Sequence, residues 1–281
     1  MLTLCPTPIG NLGDVTPRQR DALSGADIIA CEDTRTTGKL LELLGIPRED
    51  GRPRLWRFDE HRGASQVENL VEEIAAGRQV VLVSDAGTPT ISDPGYLLVR
   101  ACREAGLAVE ALPGPVAAVV ALSASGLPTD RFLFEGFLPR GTGERQGRLE
   151  ALERLGATVV VYESPHRVEG TLEDIAEVYG ADHEVAMCRE LTKVHEEVLH
   201  GGVGAVLEEL RGRDGGVKGE VVVVIGPGAG PGEGEAWEEV DRLIEALVAQ
   251  ELSARTIKEV VAAVHEVPRS ALYDRIKAAQ N

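Results

Sequence analysis

Ser84-Asp85-Ala86-Gly87-Thr88-Pro89-Thr90-Ile91-Ser92-Asp93-Pro94-Gly95 stands between two readable elements. Before it, residues 79–83 form a short apolar run that reads as a buried strand. After it, residues 96–105 read as a helix. A strand-to-helix connection does not need so long a loop rich in Gly, Pro, Ser and Asp. Such a loop puts backbone N–H groups and short oxygens at the carboxyl end of a strand, where small ligands sit in open α/β sheets. Ser92 or Asp93 as a helix cap, with Pro94 in the first turn, accounts for the end of the stretch. It leaves residues 84–89 without a role, so the stretch predicts a binding edge.

Outward from that loop, residues 1–112 alternate short apolar runs (2–6, 27–31, 54–58, 79–83, 108–112) with helical patterns (17–24, 34–44, 65–76, 95–105). This alternation predicts a mostly parallel sheet covered on both faces. Thr16-Pro17 is a helix start with a cap and a proline in the first turn. The small-residue run 116–125, bounded by Pro-Gly-Pro and Gly-Leu-Pro, reads as a tightly packed helix joining two halves. Residues 131–225 repeat the alternation, with strands at 131–135, 158–162, 184–188, 193–200 and 220–225 and helices at 144–155, 167–179 and 203–211. The strand at 193–200 has no helix before it, which suits antiparallel pairing. Pro139-Arg140-Gly141-Thr142-Gly143 reads as a mobile loop.

The organisation expected is an α/β domain over 1–113, a second over 114–225, a Gly/Pro linker over 226–236 and a helical appendage over 237–281. Trp237, Val240, Leu243, Ile244, Leu247 and Val248 mark one helical face of the appendage, Ser253 caps a second helix, and Pro268 and Ser270 start a third. The last two have the spacing of a helix-turn-helix, and also that of any short helical bundle.

Net charge is −17, from 29 Lys and Arg against 46 Asp and Glu. An acidic body argues against general nucleic-acid binding by bulk charge and leaves room for a local basic patch. Residues 253–281 carry a net +2, leaving −19 on the remainder. No apolar run approaches the ~18 residues of a membrane span. The N-terminus lacks a signal-peptide pattern, so a cytoplasmic, non-membrane protein is expected. Cys5, Cys31, Cys102 and Cys188 are widely spaced and read as small apolar core residues of a reducing compartment. The histidines have no ligand spacing, so no metal is expected.

Pro8-Ile9-Gly10-Asn11-Leu12-Gly13-Asp14 follows the first strand where a dinucleotide fold carries G-x-G-x-x-G, and no Walker loop, kinase set or Gly-x-Ser-x-Gly elbow is present. Cys31-Glu32-Asp33-Thr34-Arg35 packs charges of both signs at a strand end. Capping accounts for the acids, but Arg35 then opposes the helix dipole. Arg48, Arg52, Arg54, Arg57 and Arg62 interleave with Trp56, Phe58 and His61, which suits phosphate contact and base stacking, although four acids dilute the segment. Tyr162-Glu163-Ser164-Pro165-His166-Arg167 and Arg189-Glu190-Leu191-Thr192-Lys193 each end a strand.

Taken together, Pro6–Asp14, Cys31–Arg35, Ser84–Pro89, Ser92–Gly95, Tyr162–Arg167 and Arg189–Lys193 closely resemble the small-subunit ribosomal RNA methyltransferase branch of the tetrapyrrole methylase superfamily. The resemblance is strong over about residues 1–225. It departs at Arg62, where the family pattern has Asn. It implies two α/β domains of the tetrapyrrole methylase type, with S-adenosyl-L-methionine in the cleft between them, and a homodimer. By motif it assigns the cofactor to Pro8, Asp85, Ala86, Gly87, Ile91, Val116, Ala117, Glu163, Leu191, Gly219 and Glu220. It implies a cytidine 2′-hydroxyl in the decoding region of 16S rRNA, within the small ribosomal subunit, as acceptor. Methyl transfer to a ribose hydroxyl needs alignment, plus a base or a cation that stabilises alkoxide. Asp33, Arg35, His61, Arg167, Arg189 and Glu190 are the candidates, unranked. A corrin- or porphyrin-precursor methyltransferase, or a non-catalytic RNA-binding assembly protein, stands as the alternative.

Overall fold

The computed structural model describes residues 1–48, 51, 53–58, 64–213, 215–230, 233–250, 252–265 and 269–279. Strands β1 (Leu2–Leu4), β2 (Ile28–Cys31), β3 (Arg54–Arg57), β4 (Val80–Leu82) and β5 (Val109–Ala111) form a first sheet in the order β3-β2-β4-β1-β5. Every pairing in it is parallel. Helices α1 (Pro17–Ser24), α2 (Thr34–Leu43), α3 (Ala64–Ala75) and α4 (Tyr96–Glu104) cover it. Strand alternation sends Ile28, Ala30, Val80 and Leu82 to one face, against Leu70 and Ile74 of α3 and Leu98 of α4. Ile29, Cys31, Val81 and Val83 go to the other, against Leu23 of α1 and Leu41 of α2. Apolar residues on both parities follow from burial on both faces.

Helix α5 (Ala117–Ala124) leads to a second sheet. Its strands are β6 (Phe132–Phe137), β7 (Thr158–Glu163), β8 (Glu184–Arg189), β9 (Glu197–Gly202) and β10 (Val221–Ile225), in the order β6-β7-β10-β8-β9. Helices α6 (Thr142–Glu153), α7 (Val168–Tyr179) and α8 (Val203–Arg211) pack on the face of Val159, Val161, Val185, Val221 and Val223. Helix α5 covers the other face, with Ala118, Ala121 and Leu122 against Val160, Ala186, Val222 and Val224. Its small side chains let it lie close to the sheet, and Ile9 and Leu191 belong to the same cluster.

This sheet is mixed, which the alternation alone does not announce. β6 and β7 are parallel, while β10 runs antiparallel to both β7 and β8. β9 pairs antiparallel with β8, as expected. The start of β10 therefore lies beside the carboxyl ends of β7 and β8.

Three local expectations are corrected. Ser92 and Asp93 do not cap α4, and Pro94 lies outside its first turn. Gly95, at φ 136°, is the N-cap residue and has no side chain of its own to cap with. Thr90 (φ 76°) and Ser92 (φ 62°) wind the chain the left-handed way instead, which takes both acceptor side chains off the helix end. The strand expected at 193–200 begins at Glu197. Glu190 (φ 50°) and Thr192 (φ 66°) break the extended chain, and residues 191–196 form turns closed by Lys193 N–H to Glu190 O and Glu196 N–H to Lys193 O. The loop expected to be mobile at 139–143 is pinned. The Leu138 and Pro139 carbonyls accept from Arg167 Nη2, and the Arg140 carbonyl accepts from Arg145 Nη1.

Helices α9 (Glu233–Val248), α10 (Ala254–Val264) and α11 (Arg269–Ala279) enclose their own core of Val240, Ile244, Ile257, Val261, Leu272 and Ile276. α9 starts inside the stretch expected to be linker. The chain before it, through Gly228, lies so close to Glu153 at the end of α6 that a Cβ would collide with its backbone, and Gly226 O meets His183 Nε2 at 3.1 Å.

Candidate active site

The carboxyl ends of β1 and β4 are stitched together by hydrogen bonds. Thr7 and Gly87 exchange both backbone hydrogen bonds (2.9 and 3.0 Å), Thr7 Oγ1 donates to Ser84 O (3.1 Å) and Ser84 Oγ donates to Gly87 O (3.0 Å). Thr88 Oγ1 donates to Pro115 O (2.9 Å), tying in the chain after β5. Gly87 holds φ +85°, and a Cβ there would press on Ile9 Cγ2 and Pro115 O, both at 3.4 Å. Only glycine fits that turn without strain.

Above this floor lies a cavity of about 410 Å³ between the two sheets. Ala86, Gly87 and Ile91 line it from the loop after β4, and Val116 and Ala117 from the start of α5. Glu163 lines it at the end of β7, and Gly219 and Glu220 before β10. Pro8, Asp85 and Leu191 do not line it. Pro8 precedes the lining Ile9, Asp85 precedes Ala86, and Leu191 is buried in the cluster shared by α5 and the second sheet. The Glu163 carboxylate is buried and committed to Ser164 N–H (2.7 Å), Thr171 Oγ1 (2.7 Å) and Arg167 Nη2 (3.3 Å).

None of the described catalytic candidates lines the cavity. Asp33 caps α2, accepting from Arg35 N–H at 2.8 Å, and its carboxylate also grips the Arg35 guanidinium at 2.6 and 3.1 Å. The Arg35 side chain is 90% exposed. The cap therefore neutralises the cation that opposed the helix dipole, and it holds the Asp33 carboxyl far below the usual carboxylate range. This pair abuts the cavity through Asp85, whose carboxylate accepts from Asp33 N–H at 3.3 Å. Arg167 is spent on the carbonyls after β6 and on Glu163. Arg189 shares Glu197 with Arg213. Glu190 accepts from Lys193 Nζ (2.7 Å) and from Glu220 N–H (3.0 Å), so it braces the chain entering β10. His61 lies outside the described residues.

Sequence reading missed Asp93. It lines the cavity with its carboxyl pushed up to about 6, first by burial and then by Glu32 and Asp85, while Ser84 draws it down. The residue sits in the very stretch that set the binding edge. Its reading as a cap hid it, because only the tertiary fold buries it and brings Glu32, from the end of β2, into its field. Tyr162 was read only as part of a strand end. Its hydroxyl accepts from Ala118 N–H (3.3 Å) and fixes the first turn of α5 against β7. Among the described residues no group of three or more His, Cys, Asp or Glu has the arrangement of a metal site.

Residues 1–207 match the family model described as Tetrapyrrole (Corrin/Porphyrin) Methylases. The chain is 43% identical to "Ribosomal RNA small subunit methyltransferase I" of Escherichia coli O157:H7, over 97% of this chain and 93% of that protein. It is 41% identical to the protein of the same name from Vibrio cholerae, with the same coverage. The fold is similar to that of uroporphyrin-III-C-methyltransferase from Thermus thermophilus, with a TM-score of 0.55 and 24% identity over 80% of this chain and 93% of that one. It is also similar to diphthine synthase, with a TM-score of 0.61 and 16% identity over 80% and 89%. By motif, fold and near-full-length similarity, the chain belongs to the tetrapyrrole (corrin/porphyrin) methylase family.

Proposed function

We propose that this protein transfers a methyl group from S-adenosyl-L-methionine to the 2′-hydroxyl of a cytidine ribose in the decoding region of 16S rRNA, on the small ribosomal subunit in the cytoplasm. The observation that carries this reading is coverage. Relatives named for the small-subunit rRNA reaction align over 97% of this chain. The porphyrin-methylating neighbour covers 80% and leaves a fifth unmatched. A small macrocycle gives no reason for the extra helices.

The cavity fits the cofactor. Its volume lies within the ~300–1,000 Å³ usual for small-ligand sites. Ala86–Gly87, Ile91 and Val116–Ala117 offer backbone groups and small apolar surfaces for an adenosine moiety, and the glycine turn leaves the room a side chain would fill. Asp93, with Glu32 and Asp85 close by, supplies negative potential at one end, which favours a cationic ligand. Pro8, Asp85 and Leu191 support this wall from behind. Bound S-adenosyl-L-methionine supplies an electrophilic methyl on a sulfonium.

The chain's own work is then mostly alignment. Glu190 and Arg167 hold the backbone at the second sheet's end, and Arg189 ties β8 to β9; these are positioning residues. Arg35, exposed and oriented by Asp33 outside the cavity, is the candidate contact for the acceptor's phosphates. Assembly as a homodimer belongs to the same proposal. Nucleoside analysis of rRNA from small subunits incubated with protein and cofactor tests it. The expected product is 2′-O-methylcytidine, and methyl on a base, or none, would refute the reading.

A further inference from the structure

Phe137 ends β6 at the mouth of the cavity, lining its wall while its residue surface stays 60% exposed. Strand parity alone would not put it there. Phe134 pairs with Val160 on the α5 face of the sheet. In an unbroken strand Gly136 would share that face, and Phe137 would turn toward α6, α7 and α8. A bulge at Glu135 shifts the register instead, so that Gly136 opposes Val161 and Phe137 opposes Tyr162. The bulge needs Gly136 at φ +76°, and the extra residue, Glu135, is held by two Arg148 donors at 2.6 and 2.7 Å.

The ring has one aromatic neighbour among the described residues. Tyr162 meets it edge-on at 5.8 Å and 66°, and is itself locked by Phe134 at 4.9 Å and by Ala118 N–H. The chain just beyond is pinned by Arg167. Arg140, three positions along, is exposed and its side chain has no ion pair among the described residues. An aromatic face, preset and open at the mouth of a cavity, with an unpaired arginine nearby, suits a nucleotide.

Resting on the methyl-transfer reading above, we propose that Phe137 is the stacking platform for the base of the acceptor nucleotide, with Arg140 available to a neighbouring phosphate. The base hangs from C1′, next to the C2′ that carries the attacking hydroxyl. When that hydroxyl enters the cavity, the base is left at the rim. A ring exposed outward meets what enters last, whereas the cofactor's purine belongs in the enclosed part. Stacking accepts any base, so Phe137 positions the nucleotide and does not select it.

The test uses the full chain with Phe137→Leu, which keeps apolar bulk and loses the π face, and Phe137→Trp, which keeps the face. Calorimetry gives cofactor affinity, and steady-state methylation of small subunits gives kcat and KM. Phe137→Leu is expected to lower kcat/KM about tenfold while cofactor affinity stays within about twofold, and Phe137→Trp to recover most of the loss. Wild-type kcat/KM in Phe137→Leu overturns the inference, as does equal failure of Phe137→Trp. So does a loss matched by weaker cofactor binding, which would assign the ring to the cofactor's purine. Wild-type protein that methylates no small subunits overturns the parent reading and this one with it.

Discussion

Asp93 gives the cavity a pH signature. Burial, then the Glu32 charge, pushes its carboxyl up to about 6 in the fold, against ~3.9 in an unfolded chain. Between those values the native state holds more proton, so this residue costs stability progressively as pH rises through the window. A cationic ligand favours the ionised form and must expel that proton below pH 6. Cofactor affinity measured by calorimetry is therefore expected to fall about fivefold on acidifying from pH 6 to 5. Asp93→Asn should bind more weakly at pH 7.5 and show little slope; an unchanged slope would remove Asp93 from the site. Gly87 is the second sensitive point. Gly87→Val sets a branched side chain at φ +85° against Ile9 and Pro115, so it should abolish cofactor binding, with a stability loss on the order of 1–2 kcal/mol. Gly87→Ala should show the affinity loss with the smaller stability change, and full affinity in that variant would count against the turn as a cofactor cradle. The importance of Gly87 was readable from its loop. The importance of Asp93 was not, since Glu32, the charge that acts on it most, comes from another part of the chain.

Helices with local signals were legible and nonlocal arrangements were not. α1 runs over residues 17–24 as read, because Thr16, Pro17 and Gln19 carry a complete capping box within one turn. The parallel first sheet followed from apolar runs buried on both faces. The insertion of β10 between β7 and β8 depends on pairings far apart in sequence, and no local pattern reports it. The start of β9 was misplaced because Lys193-Val194-His195 alternates like a strand while Glu190 and Thr192 turn the backbone. The bulge in β6 was invisible for the same reason: a glycine and an acid look ordinary until Arg148 is found across from them. Between α6 and α7, Arg145 and Asp174 form an ion pair only 8% and 6% exposed, with Gln146 Nε2 also donating to Asp174 at 2.9 Å. Arg145→Ala leaves that carboxylate buried and unpaired, and should cost about 3 kcal/mol in urea unfolding. A cost under about 1 kcal/mol would mean that water replaces the guanidinium.

The whole chain divides its labour by charge and by packing. The two sheets share the cavity and most of the negative charge, while α9, α10 and α11 have a separate core. A chain ending at Gly230 keeps the segment docked on α6 and His183 and removes only those helices. It is expected to bind cofactor like the full chain and to methylate small subunits at least tenfold more slowly, on the order of one lost RNA contact region. Normal methylation would give the helices another role. The acidic body is compatible with a ribosomal substrate, because a folded particle is recognised by shape and local contacts more than by bulk charge. The decisive measurement is methyl transfer from labelled S-adenosyl-L-methionine to three acceptors in parallel: small ribosomal subunits, protein-free 16S rRNA and a tetrapyrrole precursor. The expected result is label in RNA, at the ribose of one decoding-region cytidine, and none in the tetrapyrrole. Label in the macrocycle with none in either RNA sample would contradict it.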